Sequence, residues 1–175
     1  MKKIVIYNHG KDSIPWGEKP QALSQVAKKY GFEFVSPDYQ ASNDPEWRVK
    51  QLLKIDLSEY NIIALVGSSM GGYVATVAAE ALKPQGLFLI APAFYLPGYA
   101  KTRFSPFTSN IEVFHGWQDD VVPPENSWRF CREHHARLHI LDADHRLLSI
   151  LPRMEIAFDQ FLEYCCNNSD RGGSV

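Results

Sequence analysis

Short apolar runs rich in β-branched and aromatic residues alternate along this chain with longer stretches whose apolar positions recur at helical spacing. The first pattern predicts six strands, over 4–8, 33–36, 62–66, 86–90, 111–115 and 137–141. The second predicts helices near 19–30, 45–56, 70–82, 124–135 and 147–165. Several boundaries have mechanical causes. Asp44 or Asn43 can cap a helix that carries Pro45 early, Pro84 and Gly86 close the third helix, and Pro123-Pro124 opens the fourth. Strands separated by helices need crossover connections, which make a sheet mainly parallel and cover both its faces. The expected fold is therefore α/β, a three-layer α/β/α sandwich, with ligands at the carboxyl ends of the strands.

At 175 residues the chain suits one domain, drawn here over 1–166 with a small, polar and flexible tail at 167–175. No internal repeat or linker argues for a second domain. The longest stretch without a helical or strand pattern runs from Pro92 to Thr108; its aromatic residues make it the candidate for a homodimer contact. A formal net charge of -2 supplies no positive field for nucleic acid or anionic membrane. The apolar run Ile4-Val5-Ile6-Tyr7 is too short for a signal peptide or a membrane span, so the expectation is a cytoplasmic protein. Three cysteines, Cys131, Cys165 and Cys166, lack zinc spacing and read as reduced structural thiols. No metal site or cofactor fingerprint is evident.

The most informative segment is Gly67-Ser68-Ser69-Met70-Gly71-Gly72, between an apolar strand and an Ala/Val-rich helix. A nucleophile elbow holds its central residue in a strained backbone, and small residues two positions either side relieve the crowding. Gly67 and Gly71 flank Ser69 in this way. In the same register Ser68 would place Val66 and Met70 where the smallest side chains are needed. Met70 N–H, at the start of the helix, is then a donor for developing negative charge. A P-loop is a poorer reading, because the Gly-Lys-Ser/Thr ending is missing.

With Asn8-His9-Gly10-Lys11 after the first strand, Gly67 to Gly71 after the third, His115-Gly116-Trp117-Gln118-Asp119-Asp120-Val121-Val122-Pro123 after the fifth and Asp144-His145 after the sixth, the chain resembles the α/β-hydrolase superfamily. It is most similar to the small, lidless, serine esterase-like members. The resemblance covers most of the chain and implies a sheet order of 2-1-3-4-5-6. It implies Asp119 as triad acid, with Asp120 as the reserve, and His145 as base to Ser69. A second oxyanion donor falls on Lys11 N–H, with Gly10 allowing close approach. The first two strands of the full fold and a large cap are missing, which argues for an open cleft. The expected activity is cleavage of a small-molecule carboxylic ester or thioester through an acyl-enzyme.

Trp16, Phe94, Tyr95, Trp117 and Leu147 are candidates for lining the acyl site. Lys11, Lys101, Arg103 and Arg146 could attract an anionic leaving group. Two other readings stay open: a hydrolase-fold binding module with little turnover, and a dienelactone-hydrolase-like enzyme, which usually has Cys where this chain has Ser69.

Overall fold

The computed structural model describes residues 1–168. Six parallel strands, β1 (Lys3–Asn8), β2 (Glu33–Val35), β3 (Ile62–Ser68), β4 (Gly86–Ile90), β5 (Ile111–Gly116) and β6 (Arg137–Leu141), form one sheet in the order β2-β1-β3-β4-β5-β6. This is the expected strand order. Five helices connect or follow the strands: α1 (Glu18–Lys29), α2 (Pro45–Leu52), α3 (Met70–Leu82), α4 (Pro124–His134) and α5 (Leu151–Asn167).

Alternation along the strands divides the core in two. Val5, Tyr7, Ala64, Val66, Phe88 and Ile90 face α1 and α5. Ile4, Ile6, Leu65, Leu87 and Leu89 face α2, α3 and α4. The central strands are buried on both faces, which is why their sequences are continuously apolar rather than alternating with polar residues. Asp44 caps α2 through a bond from Glu46 N–H to its carboxylate, 2.9 Å, which settles the choice between Asn43 and Asp44.

Three expectations are corrected. The last helix begins at Leu151, after a 3₁₀ turn over Leu148–Ile150, because Leu147 takes φ 56° and interrupts any helix from that point. The second helix stops at Leu52 rather than running on to residue 56. The aromatic residues of 92–108 do not form an outer patch: Phe94 and Phe104 are buried against Phe130, and Tyr99 packs on Tyr73. Phe107 alone of that group is well exposed, at 64%. The expected tail, 167–175, lies outside the described residues except for Asn167, which ends α5, and Asn168. Among the described residues, no helix is long and apolar enough to cross a membrane.

Candidate active site

A parallel sheet brings every loop that follows a strand to one edge. There Gly10, Lys11, Ser69 and His145 border a cleft of about 480 Å³, and Asp119 bonds His145 from outside its lining. Ser69 stands between β3 and α3 with φ 54° and ψ −118°, a conformation that costs a non-glycine residue about 1–3 kcal/mol. Its surroundings over-determine it. Ser69 N–H donates to Ile90 O at 2.9 Å, and Ser69 O accepts from Gly72 N–H at 2.9 Å and Ala93 N–H at 3.0 Å. The flanking glycines are required sterically. A Cβ on Gly67 would lie 2.2 Å from Gly71 O, and one on Gly71 would lie 1.8 Å from Asn8 O.

Ser69 Oγ is 3.0 Å from His145 Nε2, and His145 Nδ1 is 2.7 Å from Asp119 Oδ2. An ionised carboxylate only accepts, so Nδ1 carries the proton and the bare Nε2 accepts from the Ser69 hydroxyl. Asp120 is exposed and makes no bond to His145, which favours Asp119 as the partner. Burial pushes the Asp119 carboxyl up, but hydrogen bonds from His115, His145, Val122 N–H and Val121 N–H outweigh it and hold the group well below the ordinary carboxylate range.

His115, the penultimate residue of β5, was not among the expected site residues. Its Nε2 is 2.9 Å from both Asp119 Oδ2 and Val122 O, and two acceptors require that nitrogen to donate. Its Nδ1 meets Ser127 Oγ at 2.7 Å. Two imidazoles thus share Asp119 Oδ2, while Oδ1 accepts Val121 N–H and Val122 N–H. The sequence signal was weak, since a histidine ending a strand looks like a structural residue.

The loop after β1 is fixed by a second residue that sequence reading missed. Arg48, fully buried on α2, donates to His9 O at 3.1 Å, Gly10 O at 3.0 Å and Lys11 O at 3.0 Å. His9 Nδ1 also donates to Gly10 O at 2.8 Å, because His9 Nε2 accepts Tyr39 N–H at 2.9 Å. Burial lowers the His9 pKa, in keeping with that neutral tautomer. In a planar trans peptide the N–H points opposite to the carbonyl. With Gly10 O held toward Arg48, the Lys11 N–H is aimed away from α2, and Lys11 itself lines the cleft with Ser69. Gly10 is not essential for this approach: a Cβ there would lie 3.6 Å from Ser69 Cβ, an ordinary contact.

None of the five residues expected to line the acyl site borders the cleft. Phe94 and Leu147 are in the core, the latter pinning the loop that carries His145. Tyr95 packs on Phe94 and bonds Glu133 at 3.0 Å. Trp16 lies against Phe34, and Trp117 points outward, 63% exposed. The apolar lining comes instead from Ile14, Leu96, Tyr99, Val121 and Leu148. Of the four cations considered for an anionic group, Lys11 and Arg146 border the cleft; Lys101 pairs with Glu80 at 2.7 Å.

Burial raises the thiols of Cys131 and Cys165 to about 12, so both are inert at neutral pH.

The chain is similar to a Xanthomonas campestris pv. campestris protein placed in the alpha/beta superfamily of hydrolases, with 26% identity, coverage of 93% of this chain and 99% of that one, and a TM-score of 0.85. It shares the fold of Pyrococcus furiosus esterase Pf2001 at 21% identity, covering 93% and 82%, with a TM-score of 0.75. A second Xanthomonas campestris protein, an a/b serine hydrolase without lid, has 19% identity over 91% and 81% and a TM-score of 0.63. No curated protein sequence matches at a significant level. A family model matches residues 4–102, a stretch that holds Arg48 and the elbow but ends before Asp119 and His145. The fold is that of a minimal α/β hydrolase, and over more than half its length the chain belongs to the uncharacterised protein family UPF0227.

Proposed function

We propose that the protein is a serine hydrolase that cleaves small carboxylic esters or thioesters through an acyl-enzyme. The observation that carries this reading is the continuous hydrogen-bonded series Ser69, His145, Asp119, with its serine on a strained turn at a helix N-terminus. His145 Nε2 takes the Ser69 proton as Oγ attacks the substrate carbonyl, and the leaving alcohol or thiol receives that proton. Water then attacks the acyl-enzyme by the same route, returning the serine. Asp119 keeps the imidazole in the tautomer that this sequence of steps needs.

The tetrahedral oxyanion is met by Met70 N–H, one of the donors that the first turn of α3 leaves without a helical acceptor, and by Lys11 N–H. The likeness to esterases and to a serine hydrolase without a lid supports the same class of reaction. A fluorophosphonate probe tests the reading. Wild-type protein is expected to be labelled and Ser69→Ala not; equal labelling, or none in either, rejects it. Turnover of short aryl esters at the Ser69→Ala rate would instead favour a binding module.

A further inference from the structure

Lys19, in the first turn of α1, enters the same cleft without belonging to the hydrogen-bonded series. Its Nζ donates to Ser68 Oγ at 3.1 Å and to Arg146 O at 3.0 Å, thereby touching the residue before Ser69 and the residue after His145. An ammonium has three donors, so one remains. Among the described residues no carboxylate forms an ion pair with Lys19. The side chain is half-buried, and an ammonium removed from water without a counter-ion is costly.

We propose that Lys19 forms an anion subsite, so that the preferred substrate is an ester or thioester carrying a carboxylate or phosphate group a few bonds from the scissile carbonyl. This rests on the hydrolase reading of the same cleft. Lys11, Asp12, Glu18 and Arg146 also border the cleft, but all are exposed, where water and salt screen them. Lys19 is the partly desolvated cation, and a charge-assisted bond to it is correspondingly strong. Burial and the neighbouring Arg146 lower its pKa to about 8, against the opposing pull of Asp144, and a bound anion supplies the missing counter-charge. The cleft's other walls, Ile14, Leu96, Val121 and Leu148, suit an apolar body between the anion and the carbonyl.

The test compares p-nitrophenyl hexanoate with two anionic esters. p-Nitrophenyl hemiadipate has its charge on the acyl side, and 4-carboxyphenyl hexanoate has it on the leaving-group side. Lys19→Gln is expected to lower the anionic-to-neutral ratio of kcat/KM about tenfold for one of them, through KM, while Lys19→Arg keeps most of it. Which ester responds assigns the side. A ratio equal to the wild-type ratio for both, including a case where all rates fall together, overturns the proposal and leaves Lys19 as a tie between two loops.

Calorimetric titration of Ser69→Ala separates this idea from the hydrolase reading. Monomethyl adipate should bind about tenfold more tightly than dimethyl adipate, and the difference should vanish in Ser69→Ala/Lys19→Gln. If no ester turns over above the Ser69→Ala blank, the hydrolase reading falls, and the titration alone decides for or against the anion subsite.

Discussion

Arg48 and His115 each act one residue away from the proposed chemistry, and each does so by satisfying an acceptor whose direction matters. Arg48→Met would leave the carbonyls of His9, Gly10 and Lys11 without their guanidinium donor. It should cost at least about 2 kcal/mol of stability. In the fraction that folds, the Lys11 peptide keeps only the bonds from His9 Nδ1 and Ser13 Oγ to Gly10 O and is less firmly held, so kcat should fall roughly tenfold to a hundredfold with KM little changed. Steady-state kinetics on material of verified secondary structure checks this; an unchanged kcat would remove Arg48 from any positioning role. His115→Leu deletes one donor to Asp119 and leaves Val122 O and Ser127 Oγ unpaired. Because hydrogen bonding is what lowers the Asp119 carboxyl, its pKa should move upward in this variant. The stabilisation that Asp119 ionisation adds at pH 7 should then shrink, so the variant should start less stable and lose less stability on acidification than wild type, readable from denaturant midpoints along a pH series. Neither residue was legible beforehand, because Arg48 is three dozen positions from the loop it holds and a strand-end histidine has no distinguishing local pattern.

At the level of elements, the β3–α3 elbow and the β1 loop differ in how tightly they are enclosed. Gly71 has β1 backbone 1.8 Å from where a Cβ would lie, so Gly71→Ala must separate α3 from β1. A loss of about 3 kcal/mol or more is expected, with activity falling further because Ser69 moves with the helix. Gly10→Ala meets nothing closer than 3.4 Å and should stay within about 1 kcal/mol of wild type. Thermal melts of the two variants make the comparison, and equal losses would contradict it. The elbow was readable in the sequence because its glycines and serine fall within five consecutive residues, although Asn8, Ile90 and Ala93 complete its enclosure. The apolar wall of the cleft was not. Phe94, Tyr95 and Leu147 are near the right loops but pack into or against the core, and Trp117 turns outward, which left the lining to residues such as Leu96, Val121 and Leu148.

For the whole molecule, the Asp119 carboxyl is a link between the site and pH-dependent stability. Its folded pKa lies below the ordinary value of 3.8, so the ionised form is favoured by folding. The stabilisation is complete above the unfolded carboxylate range and is lost as pH falls through that range toward the folded value. Wild type should therefore lose stability more steeply than Asp119→Asn below about pH 5, while exceeding it at pH 7. Denaturant midpoints measured from pH 7 down to about pH 3 check the sign; parallel curves would show that Asp119 contributes nothing to the acid response.

The amino-acid order by itself determined the six strands, their parallel arrangement through the crossover helices, and the placement of Ser69, since each depends on periodicity or on contacts between near neighbours. Loop order along the chain was enough to name Asp119 and His145 by resemblance, but their pairing required two loops to meet across β5 and β6. Tertiary structure alone decided that two imidazoles share Asp119 Oδ2, that Arg48 orients the loop after β1, and that Lys19 reaches the cleft between Ser68 and Arg146. The physical reason is range. Side-chain hydrogen bonds act over about 3 Å in space, whereas Lys19 and Arg146 lie 127 residues apart in sequence and Arg48 and Gly10 lie 38 apart. His115 is only four residues from Asp119, but the turn that brings their side chains together is set by the fold.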